Sequence, residues 1–408
     1  MQRFFVIGIT DQPNPWFPPE VLEVIKAGKV FSGGKRHHEI VEPLLPEGAE
    51  WIDITVPLDS VFSRYAACPT ESIIVFASGD PLFFGFANTI KRKMPEAEIA
   101  VYPSFNSLQL LAHRLVMPYH DLRIVSLTGR PWMEFDRALI ERAPKIGVLT
   151  DREHTPATIA QRMMDYGYNN YQMYVGEHLG NPSREKVSQL TLEEAANGEY
   201  EMPNCLILNG CGDMPPRHFG ISEKAFALLD GREKMITKAP IRLLTLSALE
   251  LQNKHSFWDI GFCTGSVSIE ARLLFPHLRI TAFEIREEGR QLMLTNSRRF
   301  GAPGIETVIG DFLSLPFSQT LKPDAIFIGG HGGRLPEMMR KAIDWLLPGG
   351  VIVYNCVSPD AVTDPRIRTD SRQLFEQTAR ECGLRLEPAL HVAVNDHHPI
   401  DILKARKQ

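Results

Sequence analysis

Two α/β units in series are what this sequence predicts, on three observations. Short apolar strands alternate with helical segments from residue 4 to about residue 210. A break follows, Gly210-Cys211-Gly212 and then a polar stretch over 213–220 holding Pro215-Pro216. From about Ile236 a second strand–helix series starts afresh, at regular spacing and without repeating the first.

Taken in order, residues 4–9, 51–54, 72–77, 98–101, 123–127 and 146–149 read as strands, being brief, apolar and rich in β-branched side chains. Residues 20–27, 86–94 and 107–115 read as helices, and the alternation predicts mainly parallel sheets. Met117-Pro118 marks a lobe boundary. The second lobe holds a helix at 156–166 and strands at 172–175 and 204–208. In the second series, 242–251 reads as a helix, and 256–260, 279–283, 306–309, 325–328 and 350–354 as the strands of a doubly wound sheet. The expected limits are a first domain at 1–211 with lobes of about 1–117 and 118–211, a linker at 212–231, and a second domain at 232–408.

Composition narrows the class. Length of 408 residues exceeds one ordinary core, and 44% hydrophobic with 23% charged residues is a globular balance. A net charge of −5 argues against non-specific nucleic-acid binding, which needs dense Lys and Arg. Arg3 followed by Phe4-Phe5-Val6-Ile7-Gly8 is a strand running into a turn, not a signal peptide. No apolar run reaches the roughly 20 residues of a membrane span. A cytoplasmic protein is expected, without nucleic-acid or membrane partners and as a homo-oligomer. The six cysteines (Cys68, Cys205, Cys211, Cys263, Cys356, Cys382) form no C-x-x-C pair and are expected as free, buried thiols, with no protein-bound metal.

The clearest chemistry lies at residues 257–268. An apolar strand ends at Asp259-Ile260, Gly261 to Gly265 turn, and Ser266 opens a helix, so backbone N–H groups can approach a ligand. The next strand ends at Glu284, placed to accept both ribose hydroxyls of a nucleoside. A third ends at Asp311, whose carboxylate could meet an adenine amino group, and a fourth at Gly329-Gly330, which leaves room for an amino-acid moiety. Either acid alone could equally cap a helix; the ordered set at successive strand ends favours a nucleoside-bearing ligand. Asp259–Glu270, read D-I-G-F-C-T-G-S-V-S-I-E, resembles the class I methyltransferase domain of cobalamin biosynthesis that methylates C15 of a precorrin with decarboxylation. Ile236-Thr237-Lys238 with Arg242, and Ile328-Gly329-Gly330-His331-Gly332-Gly333, extend that resemblance over roughly 232–358. Where the family has glycine, this chain has Cys263.

In the first half, Ser78-Gly79-Asp80-Pro81-Leu82-Phe83-Phe84-Gly85 follows a strand. Gly79 and Gly85 permit tight turns, and Pro81 forces an extended entry. From residues alone this could be a plain strand-to-helix loop. G-D-P-L-F-F-G, however, resembles the hallmark of the tetrapyrrole methylase superfamily. Tyr102-Pro103-Ser104-Phe105-Asn106-Ser107 resembles its next cofactor loop. Gly34-Lys35-Arg36-His37-His38-Glu39, Ser126-Leu127-Thr128-Gly129-Arg130 and Gly176-Glu177-His178-Leu179-Gly180 are similar to the C5-methylating precorrin branch.

These resemblances imply a two-lobed tetrapyrrole methylase fold followed by a Rossmann-like class I methyltransferase fold. They imply two S-adenosylmethionine sites per chain and a tetrapyrrole (precorrin) substrate, methylated at C5 and C15 with loss of the C12 acetate carboxylate. Expected cofactor residues are Gly79, Asp80, Pro81, Phe84, Gly85, Pro103, Ser104 and Ser107 in the first half. In the second they are Thr237, Lys238, Asp259, Gly261, Gly265, Ser266, Glu284, Asp311, Gly329 and Gly330. Methyl transfer from a sulfonium is an in-line displacement that needs alignment rather than a nucleophilic side chain. No Ser-His-Asp or Cys-His signature is therefore required. A polycarboxylate substrate calls for cations, for which Arg36, His37, Arg242 and Arg334 are the candidates, with Arg130 and His331 the candidate catalytic residues. Other readings keep the folds with a protein or RNA substrate, or make one half a non-catalytic binding module.

Overall fold

The computed structural model describes residues 2–68, 72–212, 217, 219–231, 235–317, 320–357, 371–394 and 398–408; of the expected linker, 213–216, with Pro215-Pro216, and 218 lie outside these. The chain forms two compact units. Unit 1 holds Met1–Pro131, Ala143–Arg162 and Asn170–Gly212, and unit 2 holds Trp132–Arg142, Met163–Asn169 and Asp213–Gln408. Unit 2 thus takes in two short stretches from the first half of the chain. Within it the Tyr168 hydroxyl donates to Gly301 O at 2.7 Å and Arg298 pairs with Asp165 at 2.7 Å.

Unit 1 contains two five-stranded sheets. The first is built from β1 (Arg3–Ile9), β2 (Val30–Gly33), β3 (Glu50–Asp53), β4 (Ser72–Ser78) and β5 (Glu98–Tyr102), in the order β3-β2-β4-β1-β5. All of its pairings are parallel. Strand residues alternate between two cores: Phe4, Val6, Ile73 and Val75 pack on one face, Ile7, Ile9, Ile74 and Phe76 on the other. Burial on both faces explains why these strands read as continuous apolar runs. The order places the carboxyl ends of β1, β4 and β5 side by side.

The second sheet is built from β6 (Arg123–Ser126), β7 (Lys145–Leu149), β8 (Tyr171–Glu177), β9 (Lys186–Leu190) and β10 (Asn204–Gly210), in the order β6-β7-β10-β8-β9. Only β6–β7 is parallel; β7–β10, β10–β8 and β8–β9 are antiparallel. The expectation of mainly parallel sheets thus holds for the first sheet and not for the second. Residues 178–185 join β8 to β9 directly, and a parallel link needs a crossover of roughly a dozen residues or more.

Unit 2 carries β11 (Ser256–Ile260), β12 (Arg279–Glu284), β13 (Ile305–Ile309), β14 (Ala325–Ile328), β15 (Val351–Val357), β16 (Leu384–Leu386), β17 (Leu390–Val392) and β18 (Ile400–Lys407). Their order is β13-β12-β11-β14-β15-β18-β16, with β17 on β18. The first five run parallel, and β18 returns antiparallel to β15. Trp258, Ile260, Ile326 and Ile328 fill one core; Phe257, Ala325 and Phe327 fill the other. Strand order reverses between β11 and β14, and ligands of open α/β sheets bind at such a switch point, outside the carboxyl ends. Among the described residues no helix is long and apolar enough to cross a membrane.

None of the six cysteines is in a disulfide; only Cys205 and Cys356 are buried, and Cys211 is exposed. The expectation of uniformly buried thiols is corrected there: Cys211 lies past the end of β10, where the chain leaves its sheet.

Candidate active sites

At the switch point of unit 2, Gly261 turns the chain out of β11 at φ +76°. A Cβ on Gly261 would stand 2.6 Å from Gly330 N, so the ends of β11 and β14 close together only with glycine there. The turn is tied to β12 by Gly261 N and Phe262 N, donating to Phe283 O at 2.8 and 3.2 Å. Cys263 adopts φ +53°, the left-handed conformation that favours glycine, which gives the family's glycine at this position a physical meaning.

These strand ends surround a cavity of about 410 Å³, a size within the roughly 300–1,000 Å³ of small-molecule sites. Of the residues expected from sequence, Gly261, Glu284, Asp311, Gly330, His331 and Arg334 line it. Met235, Ile285, Arg286, Phe312 and Met338 line it as well and were not anticipated, although Arg286 stands two residues past Glu284. Gly265 and Ser266 begin the helix Ser266–Leu274 behind the turn. Lys238 caps the helix Ala239–Ala248, and Thr237 precedes it; Met235, not these two, reaches the cavity.

Each acid expected to read a nucleoside is already held. Glu284 Oε1 accepts from Ile285 N at 3.0 Å and from Arg286 N and Nε at 3.1 and 2.9 Å. Its Oε2 accepts from Cys263 N and Arg286 Nη2, both at 3.0 Å. Burial pushes the Glu284 carboxyl up, but the Arg286 guanidinium and the backbone donors outweigh it and hold the group below its usual range. Asp311 receives both terminal nitrogens of Arg334, at 3.0 and 3.1 Å, and Leu313 N at 3.1 Å.

Asp259 is fully buried. Ser268 donates to its Oδ2 from N and Oγ, at 3.2 and 2.6 Å, while Oδ1 has no partner among the described residues. Burial pushes this carboxyl up to about 7 against those hydrogen bonds, with the nearby Glu284 charge adding to the rise. His331 Nδ1 accepts from Gly333 N at 3.1 Å, leaving Nε2–H to meet the Tyr354 hydroxyl at 3.2 Å. Burial lowers its pKa, so the imidazole is neutral at physiological pH. Arg242 is a correction. It is fully buried, pairs with the buried Glu270, and donates to Thr237 O at 2.8 Å and to Ile221 O. Its charge is spent inside the unit, so it does not receive substrate.

In unit 1, the loops after β4 and β5 meet the end of β1. A Cβ on Gly8 would lie 1.9 Å from Gly79 O, and Gly79 itself has φ +59°. Ser104 N donates to Gly79 O at 3.3 Å, which brings Gly79 and the Pro103-Ser104 loop together. Asp80 Oδ1 accepts from Leu82 N at 2.8 Å and fixes the turn. Gly85 caps the helix Phe86–Lys93 against Pro81 O. Phe84 sits at φ +54°, a strained conformation for a bulky residue, with its ring under the Arg130 guanidinium at 5.2 Å. Both border a cavity of about 380 Å³. Ser107 opens the helix Ser107–Arg114, whose N-cap Asn106 forms a capping box with Gln109.

Arg36 and His37 both reach Ser78 Oγ, at 2.9 Å each, beside the Gly79–Gly85 loop, and Arg36 also pairs with Asp11 at 2.9 Å. His37 was expected as a cation. Burial, reinforced by the Arg36 charge, pushes its pKa down to about 4, so it is neutral here and offers a hydrogen bond instead. Sequence reasoning passed over Asp11 as a partner of Arg36 and of His178, whose Nδ1 lies 3.1 Å from it.

Two family models match the chain. Residues 14–196 match the tetrapyrrole (corrin/porphyrin) methylases and residues 229–364 the precorrin methyltransferase domain. A Sinorhizobium protein named precorrin-6Y C(5,15)-methyltransferase [decarboxylating] is 31% identical over 360 residues, 87% of this chain and 84% of the relative. The chain belongs to this family. It is a methyltransferase. Two Salmonella typhimurium proteins are similar to parts of it. The cobalt-precorrin-6B C(15)-methyltransferase (decarboxylating) is 41% identical over 129 residues, covering 32% of this chain and 66% of that one. The cobalt-precorrin-7 C(5)-methyltransferase is 27% identical over 204 residues, covering 50% of this chain and 98% of that one.

Proposed function

We propose that this chain methylates C5 and C15 of a precorrin and removes the C12 acetate carboxylate, with unit 1 acting at C5 and unit 2 at C15. Its S-adenosylmethionine-dependent chemistry belongs to cobalamin biosynthesis, as in its relatives. The observation that carries the reading is the closure of Gly261 onto Gly330 beside Glu284 and Asp311, a cradle that a Cβ would fill and that two carboxylates flank. Those residues fit a nucleoside with an amino-acid tail: Glu284 for the ribose, Asp311 for the adenine amino group, and the glycine ends for the tail. In unit 1 the corresponding contacts would come from Gly79, Asp80, Pro81, Phe84, Gly85, Pro103, Ser104 and Ser107. Two cofactor sites per chain and no protein-bound metal complete the reading.

The bound cofactor supplies an electrophilic methyl on sulfur, open to in-line attack by an electron-rich meso carbon. Arg36 and Arg130 in unit 1 and Arg334 in unit 2 would hold substrate carboxylates. Neutral His331 could carry a proton at Nε2 beside Tyr354. In decarboxylation the bond to the acetate carboxylate breaks, carbon dioxide leaves, and the conjugated macrocycle takes up the electron pair before a proton replaces it.

Incubation with metal-free and cobalt-bearing precursors, read by mass spectrometry, tests the proposal. Two methyl additions and one loss of carbon dioxide are expected. A product with a single addition would sink the bifunctional assignment.

A further inference from the structure

Both carboxylates expected to read the cofactor in unit 2 are chelated by arginines that line the same cavity. A carboxylate offers about four lone-pair sites. Glu284 already receives five donors: three backbone N–H groups and two from Arg286. The backbone donors belong to the turn and to β12's end and cannot leave. Two ribose hydroxyls can therefore be accepted only where Arg286 now sits. Asp311 is less full, receiving Leu313 N and both terminal nitrogens of Arg334, but Arg334 engages both of its oxygens. The Arg286 and Arg334 side chains are about one-third and two-fifths exposed, so each can swing into the cavity without unpacking a core.

We propose that cofactor and substrate binding in unit 2 are coupled by this exchange, with Arg286 as a substrate-carboxylate receptor beside Arg334. The ribose hydroxyls displace Arg286 from Glu284, and the adenine amino group competes with Arg334 for Asp311. Arg286 is then left unpaired beside Arg334, where a polycarboxylate must dock. Arginine, with its planar fork, re-pairs with a substrate carboxylate at little further ordering cost. By linkage each ligand tightens the other, and couplings of this kind are typically about 5–150-fold. The inference rests on the cofactor reading of this cavity.

Calorimetric titration of the full-length protein with uroporphyrin, a polycarboxylate tetrapyrrole, with and without saturating S-adenosylhomocysteine, tests it. In the parent protein the nucleoside should tighten uroporphyrin binding about 5-fold or more. The R286A/R334A double variant should lose unit 2's part of that gain yet bind S-adenosylhomocysteine at least as tightly as the parent, because no arginine has to be displaced. R286K/R334K, which keeps charge without the bidentate fork, should bind the nucleoside at least as tightly and keep part of the gain. Unit 1 contributes equally to all three proteins, so the differences report on unit 2. Coupling as strong in the double alanine variant as in the parent, or nucleoside binding weakened in both variants, overturns the exchange. A parent protein that binds one nucleoside per chain, unaltered by Glu284→Gln, overturns the cofactor reading of the cavity and the exchange with it.

Discussion

The Cys263 backbone N–H donates to Glu284 Oε2 at 3.0 Å, and it does so from a residue at φ +53°. The carboxylate expected to bind ribose is thus aimed by an amide held in a conformation that costs a non-glycine residue about 1–2 kcal/mol. Glycine would relieve that cost but lose about 0.5–1 kcal/mol more conformational entropy on folding. Cys263→Gly is therefore expected to change stability by no more than about 1 kcal/mol and to keep S-adenosylhomocysteine binding. Cys263→Val, β-branched and stiff, should lose about 2 kcal/mol in urea denaturation and bind the nucleoside more weakly. Equal stability of the valine variant would show that the turn is not strained as described.

If each unit holds one nucleoside as proposed, Glu284→Gln should remove the site in unit 2. Losing charge-assisted acceptance of two hydroxyls is worth about 3 kcal/mol, or roughly 100-fold in affinity. Mass spectrometry should then show C15 methylation and decarboxylation lost with C5 methylation intact. Asp80→Ala, which removes the acceptor for Leu82 N, should do the opposite. Loss of both methylations in either variant would refute independence of the two activities.

Gly8→Ala should destabilise unit 1 by about 3 kcal/mol. The new Cβ would lie 1.9 Å from Gly79 O and 2.7 Å from Ser104 N, and backbone on both sides leaves it no room. A lowered denaturation midpoint with C5 methylation lost is the expected pair of readings; parent-like stability would contradict the packing.

Asp259 makes stability depend on pH with a definite sign. Its carboxyl titrates at about 7 in the folded chain against an ordinary value of 3.8, so the native state binds the extra proton in that interval. Stability should fall as pH rises from about 4 to about 7 and level off above, relative to Asp259→Asn, which cannot ionise. Denaturation of both proteins at pH 5 and pH 8 measures the difference. The parent should lose more than the asparagine variant between the two; an equal loss would show that Asp259 is ionised throughout.

Strands buried on both faces declared themselves in sequence. Residues 256–260 and 325–328 were read as β11 and β14 stand, because apolar runs leave little choice of element. β2 was passed over: four residues, Val30-Phe31-Ser32-Gly33, are too few to set a period. β16, β17 and β18 were missed because Leu384–Leu386 and Leu390–Val392 have three residues each and Ile400–Lys407 alternates with charges. In the sites, glycines and strand-end acids were legible because their residue type states a local need. Pairing was not. Arg242 looked like a substrate cation until Glu270, a turn of another helix, proved to hold it in the core. Nor could Asp311 and Arg334, each singled out separately, be seen to hold one another.

The place of β18 between β15 and β16 sets the order in which a ribosome can finish this molecule. Both sheets of unit 1 have all their strands once Gly210 has emerged. In unit 2, β15 ends at Val357, but the strand that covers its open edge ends at Lys407. At about 5–20 residues per second, several seconds separate the two. Throughout that interval Val351-Ile352-Val353-Tyr354 presents unpaired N–H and C=O groups on an apolar, β-branched edge, the kind of template on which other chains aggregate. Unit 1 passes through the same state, because β1 ends at Ile9 while β4, which pairs with it, ends at Ser78, so in each unit a late central strand closes an edge laid down long before it.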